Sequence, residues 1–428
     1  MSDGEQANSD QMKFAGCCAI NESTVDCANE VANRVLESLG GEPNFAMAFM
    51  THPHIEQCAE VSRTLRAKFG GAIVIGVSAS GVIAGGAEIE KSPAISIFAG
   101  KFGDQITSGV RVKAFTDEEL TVVDSEETAK SEWMPTMGID KDTRCVILFA
   151  DPTSVPMLTL LPWFNAATSE YGVPVVGGMA SGGTKPGSNV IMLNDRVRRH
   201  GLVGMSISGD IRVDTVLSQG CKGFGPTMVV TKSHRNMILE LGGRRALDVV
   251  QETVELLNEE QREIAGRGLF VGLVVDENKP RFGRGDFVMR AVVGIERDSG
   301  AVAVADFPKV GQTVRLHMRD AATAREDLEL LLDAQKLYDT PLGSLLIACN
   351  LRGEKFFEGR HRDAEIVQRA FGFRRGGETT GAGQILDPAA EAAVPQAGIL
   401  ASGEIGPLGS KSFVHGLTAC ALLFREAE

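Results

Sequence analysis

Two short stretches of this chain carry side chains that could hold a small charged molecule. The first is "ASGEIGPLGSKSFVH" (401–415), with Ser402, Gly403, Glu404 and His415; the second is "ACNLRG" (348–353), with Asn350 and Arg352. A glutamate can fix an ammonium group, a histidine can hydrogen-bond a carboxylate, and an arginine binds a carboxylate through two parallel bonds. Asn350 offers an amide to either group, and a Ser-Gly pair lets backbone approach a ligand closely. The set suits an amino acid or a similar polar metabolite. Each residue also has a plainer reading. Glu404 can be a turn residue, His415 one satisfied by backbone, Asn350 a cap and Arg352 a surface cation.

Other chemistries lack their residues. A serine hydrolase needs G-x-S-x-G at a strand-to-helix elbow, and "GVSASG" has Ser80 where the last glycine belongs. "QGCKGFGP" and "GGTKPGSN" both fail the phosphate-loop pattern G-x-x-x-x-G-K-[ST]. None of the eight cysteines forms C-x-x-C, and His52-Pro53-His54 reads as a loop entering a helix rather than a metal pair. Cys349 reads as core. No catalytic or metal-binding set is expected, and the chain does not read as an enzyme.

The elements that would position these residues recur. Ala-Ser-Gly stands at 79–81, 180–182 and 401–403, each time after a short apolar run. The runs "FAMAFM" and "CVILFA" precede their serines at one spacing, 35 residues in both copies (Phe45 to Ser80, Val146 to Ser181). In the third copy the spacing is 56 (Leu346 to Ser402), with the excess in 374–396, which reads as a loop insertion. Helical periodicity marks 23–39, opened by Ser23 and Asp26 and stopped by Gly40-Gly41. It also marks 54–69, 155–171, 247–264, 320–338 and 361–371. Short apolar strands fill most of the remainder, and Arg297–Gly300 reads as a hairpin turn. The expected fold is α/β with mixed α+β character. It has two related domains of mixed sheets flanked by helices, built from strand–helix–strand–loop–strand units. Residues 1–40 would be a disordered N-terminus and first helix, 41–243 the first domain and 244–428 the second. Ser80 and Ser181 read as structural joints. Ser402 differs from them by the Glu404 and His415 beyond it.

Lys and Arg number 43 and Asp and Glu 56, a formal net charge of −13, which argues against nucleic acid and anionic membrane surfaces as partners. The start "MSDGEQANSDQ" lacks the basic and apolar regions of a signal peptide, and no apolar run is long enough to cross a bilayer. With cysteines scattered in apolar runs, these features lead us to expect a cytoplasmic protein with reduced thiols.

Four stretches resemble the FIST family (F-box and intracellular signal transduction proteins): "IGVSASGVIAGG", 218–250, 287–328 and, most specifically, "ASGEIGPLGSKSFVHGLTACALLF" (401–424). The resemblance spans the chain from about residue 40. It implies a sensory protein that binds a small molecule, amino acids being the usual proposal, with output through a partner protein. Some bacterial members resemble haem-dependent nitric oxide sensors, so haem is the candidate cofactor of an alternative reading, with His54, His200, His234 and His415 as its available histidines. A non-enzymatic scaffold is a further alternative. One departure concerns the first loop, where Ser80-Gly81 is followed by Val82 instead of the Gly-Glu found at 403–404.

Overall fold

The computed structural model describes residues 12–102, 109–359, 362–372 and 392–427. Most of the loop insertion expected at 374–396, and nearly all of the expected N-terminal disorder, lie outside these residues. The described chain is mixed α/β and forms two compact units. The first comprises 1–217, 328–414 and 419–428; the second comprises 218–327 and 415–418. The second unit is enclosed within the sequence of the first.

In the first unit, three six-stranded sheets share one strand order. The sheet built from Phe45–Met50, Ile73–Ser78, Ala94–Lys101 and Lys13–Ile20 sets the pattern. Phe45–Met50 runs parallel to Ile73–Ser78 and antiparallel to Ala94–Lys101, and Lys13–Ile20 pairs antiparallel on the outside of the latter. In the second sheet the same places are taken by Thr143–Ala150, Val175–Met179, Leu202–Ser208 and Arg111–Thr116. In the third they are taken by Gly343–Cys349, Gln396–Ala401, Thr418–Glu426 and Ile211–Gln219. The strand Lys13–Ile20 lies within the stretch read as an N-terminus preceding the first helix. Its sequence, KFAGCCAI, is continuous and apolar, as a strand buried on both faces should be.

Each sheet is completed by a hairpin from another unit of the sequence. After the first Ala-Ser-Gly, Val82–Ala84 and Ala87–Ile89 join Gln396–Ala401 in the third sheet. After the second, Ile191–Leu193 and Arg196–Arg198 join Ile73–Ser78 in the first. After the third, Glu404–Leu408 and Lys411–His415 join Val175–Met179 in the second. The exchange is cyclic.

Helices cover the outer face of each sheet. Thr24–Leu39 packs Val31, Val35 and Leu39 against the first sheet, with Ser23 accepting from the Asp26 N–H as the sequence predicts. Glu126–Met137 and Met157–Thr168 cover the second, Trp133 and Phe164 meeting at 4.9 Å. Ala321–Gln335 and Arg362–Ala370 contribute Leu328, Leu332 and Val367 to the third. The inner faces meet in one core, where Phe14, Phe98 and Phe424 lie 5.0 to 5.5 Å apart.

The second unit is a closed antiparallel barrel. Its strands run in the order Cys221–His234, Thr313–Arg319, Leu269–Val274, Phe287–Glu296, Ala301–Val304 and Met237–Leu241, and the last pairs back to the first through Val230 and Leu241. Inward side chains such as Val271, Val302, Val314 and Leu316 fill it. The turn expected at 297–300 joins two of its strands, with Gly300 N–H donating to the Glu296 carbonyl at 2.9 Å. The single helix expected over 247–264 is two, Ala246–Glu255 and Glu259–Gly266. Asn258 breaks it, because its side chain caps a new helix start and Gln261 reaches back to the Asn258 N–H.

Candidate functional site

The three Ala-Ser-Gly loops converge at the centre of the first unit. Ser181 donates its hydroxyl to the Leu400 carbonyl at 2.5 Å and accepts from the Ser80 N–H at 2.8 Å. Ser80 donates to the same carbonyl at 3.1 Å, and the Ser402 N–H bonds the Met179 carbonyl at 3.0 Å. Three glycines stand four residues before these serines. A Cβ on Gly177 would lie 1.8 Å from the Leu148 carbonyl oxygen, one on Gly398 equally close to that of Leu346, and one on Gly76 2.5 Å from the Met192 methyl. These loops hold strand to strand, and Ser181 is buried.

The residues singled out by sequence divide. Arg352 is 1% exposed and binds Asp363, also 1% exposed, through two bonds of 2.8 and 2.7 Å. Burial alone would lower the Arg352 guanidinium, yet Asp363, Cys349 and Glu404 more than offset it and hold it above its ordinary value. Glu404 is fully buried and close enough to act on that charge. Glu88, brought in by the exchanged hairpin, accepts from the Ala364 N–H at 3.0 Å. Burial, then the charge of Asp363, pushes the Glu88 carboxyl up to about 8. Gly403 is buried, Asn350 half-buried and Ser402 exposed. His415 is buried and belongs to the second unit. Arg352 therefore faces a carboxylate of its own chain, and Glu404 shares that buried cluster. The cysteines are buried too; burial raises the Cys27 thiol to about 11 and Cys145 and Cys420 to about 12, so those three stay protonated.

The second unit carries a hollow of about 230 Å³, lined by Cys221, Lys222, Gly223, Phe282, Gly283, Arg284, Phe287, Arg315, His317 and Thr323. It lies on the outer face of the barrel. Along Thr313–Arg319, Val314, Leu316 and Met318 point into the barrel core, which turns Arg315 and His317 outward. Room for the imidazole comes from two glycines. A Cβ on Gly272 would lie 2.6 Å from the His317 ring, and one on Gly223 3.0 Å from its Nε2. The ring packs on Phe287 at 5.2 Å, and Phe287 meets Phe282 edge-on at 6.0 Å.

His317 Nδ1 lies 3.0 Å from the Arg315 carbonyl oxygen, which can only accept, so Nδ1 carries the hydrogen and Nε2 is an acceptor. Burial lowers its pKa to about 4, with the Arg315 charge adding to the effect, so the ring is neutral at pH 7. Arg315 donates through Nε to the Gly225 carbonyl at 3.1 Å, which fixes its guanidinium. Arg284 is braced by Glu326 at 3.1 Å and Asp327 at 3.4 Å. The site therefore joins two cationic side chains, Arg284 and Arg315, with one neutral acceptor and an aromatic corner; Lys222 stands opposite Met318, so its side chain leaves by the other face of the strand pair and only its backbone borders the hollow. His317 was not among the sequence candidates. The alternation of "TVRLHMR" already put Arg315 and His317 on one face, but Gly223 and Gly272 lie on other strands.

A histidine whose Nδ1–H is held by a carbonyl resembles a metal ligand. The hollow nevertheless falls below the roughly 300–1,000 Å³ usual for drug-sized ligands, and a haem is larger than these. A haem does not fit it. Of the histidines named for haem, His54 is buried with Nδ1 2.8 Å from the Thr24 hydroxyl, and His200 and His234 are exposed.

Comparison with known proteins agrees with this architecture. The FIST N domain model matches residues 44–244 and the FIST C domain model residues 246–407. The chain belongs to the FIST family, whose domains are associated with sensory roles in signal transduction. It is similar to an uncharacterized protein of Mycobacterium tuberculosis, 32% identical over 401 residues that cover 93% of this chain and 95% of that one. It is also similar to an uncharacterized protein of Mycobacterium bovis, 30% identical over 413 residues covering 96% and 97%. Among the described residues, no helix is long and apolar enough to cross a membrane.

Proposed function

We propose that this chain is a cytoplasmic sensory protein that binds a small carboxylate-bearing metabolite, of the size of an amino acid, and signals through a partner protein. The observation that carries this reading is the convergence of Arg284 and Arg315 on one hollow of about 230 Å³ beside the neutral His317. Fixed cations in a recess attract a carboxylate, and Arg315 is held by its bond to Gly225. The volume suits a metabolite of about a dozen heavy atoms, below the drug-sized range. The three sheets of the first unit we read as copies of one ancestral unit.

The test is a melting-temperature screen against amino acids and other small carboxylates, because a ligand that binds only the folded state stabilises it by about 2.7 kcal/mol at one hundred times its Kd. A rise of several degrees that disappears in Arg315→Gln supports the reading. A shift that survives both Arg315→Gln and Arg284→Gln places the ligand elsewhere.

A further inference from the structure

The polar groups of the hollow differ in what they ask of a ligand. Arg284 and Arg315 donate only, and no Asp or Glu is among the described residues that line the space. The two carboxylates nearest Arg284, on Glu326 and Asp327, already receive its guanidinium. An ammonium group entering here would meet two like charges, with few acceptors for its three hydrogens. His317 sets the opposite condition. Its Nε2 accepts, because Nδ1 donates to the Arg315 carbonyl. A carboxylate oxygen at that position would bring a lone pair against a lone pair. A neutral hydroxyl satisfies it. Phe282 and Phe287 add an apolar wall, with the imidazole packed against Phe287 at 5.2 Å.

Resting on the small-carboxylate reading above, we infer that the ligand is an α-hydroxy acid with an aromatic or branched tail. Its carboxylate lies between Arg315 and Arg284, its hydroxyl donates to Nε2 of His317, and its tail lies on Phe282 and Phe287. The hydroxyl is what separates it from an amino acid in this site. A carboxylate that lacks the hydroxyl leaves a desolvated acceptor without a donor.

Calorimetric titration of the full chain at pH 7 with phenyllactate, phenylpropionate, phenylalanine and inorganic phosphate tests this. Phenyllactate should bind about three- to tenfold more tightly than phenylpropionate, the usual range for one hydrogen bond. It should also bind more tightly than phenylalanine and phosphate. His317→Phe removes the acceptor and keeps a ring, so phenyllactate and phenylpropionate should then bind within about twofold of each other. The wild-type series stands by itself if that variant fails to fold. Phenylalanine binding as tightly as phenyllactate, or phenylpropionate matching it in the wild type, overturns the α-hydroxy acid assignment and leaves the small-carboxylate reading in place. Absence of binding by every carboxylate overturns both.

Discussion

Arg352 and Asp363 pair through two hydrogen bonds, 2.8 and 2.7 Å long, with both side chains out of water. The pair joins the end of the strand Gly343–Cys349 to the helix Arg362–Ala370 that covers its sheet. Removing one partner strands a buried charge, which typically costs about 3–5 kcal/mol. Asp363→Ala should lower the urea midpoint accordingly. Arg352→Met with Asp363→Leu should recover much of the loss, because a packed apolar pair replaces the buried ions. A midpoint unchanged in Asp363→Ala would mean that Arg352 has a role other than this pair.

Glu88 gives the same region a dependence on pH. Its folded carboxyl titrates near 8 against 4.5 for an ordinary one, because of burial and then the charge of Asp363. Between these values the folded state holds a proton that the unfolded state has released, so this group's contribution to stability falls as pH rises from about 4.5 to 8. Glu88→Gln keeps an oxygen for the Ala364 N–H and should flatten the slope in denaturation curves collected across that window. An unchanged slope would show that Glu88 is ionised in the folded protein at neutral pH.

His317 acts in the opposite sense. Its folded pKa of about 4 lies below the ordinary 6.5, first through burial. The unfolded chain takes up this proton first, so the stability the neutral ring contributes is complete above about 6.5 and is lost as pH falls towards 4. An NMR titration should find its ring signals unmoved from pH 8 to about 5. A midpoint near 6.5 would contradict a buried, neutral imidazole.

The serines of the three loops should respond unequally. Ser181→Ala removes the donor to Leu400 and the acceptor of the Ser80 N–H, a loss of about 1–3 kcal/mol for buried groups left unmatched. Ser402→Ala, at an exposed site, should lie within about 0.5 kcal/mol of the wild type. Chemical denaturation of the two variants decides this, and a larger effect for Ser402 would reverse the assignment of the structural joint.

Gly177 tests the packing beneath those loops. A methyl there would sit 1.8 Å from the Leu148 carbonyl oxygen, on backbone that has no room to move. Gly177→Ala should cost more than about 3 kcal/mol, beyond ordinary overpacking. Gly172→Ala, where nothing lies within 4 Å, serves as the comparison for a positive-φ glycine without a neighbour. Equal thermal stability of the two variants would refute the close approach.

What the sequence made readable follows from which interactions are local. The helix Thr24–Leu39 was legible because Ser23 and Gly40 mark its ends within the segment itself. Apolar runs such as FAMAFM and CVILFA read as strands for the same reason. The exchanged hairpins did not. Val82–Ala84 is three residues long, and its partner Gln396–Ala401 lies more than three hundred positions away. Arg352 was read as a ligand group from its place at a strand end, but Asp363, which occupies it, stands on a separate helix. His317 has the same history, since the glycines that make its niche come from strands that only the closed barrel brings beside it.

The cyclic hairpin exchange also bears on how the protein is made. Chains leave the ribosome from the N-terminus, and domains usually fold as they emerge. Here the strand Ile73–Ser78 waits for residues 191–193 before its edge is covered, and Val175–Met179 waits for residues 404–405. The hairpin at 82–89 is finished early but has no sheet to join until 397–399 is synthesised. Open edges of this kind invite wrong pairings. A nascent chain therefore carries unprotected strand edges through almost its whole translation, and premature termination anywhere before residue 404 leaves at least one sheet without its last strands.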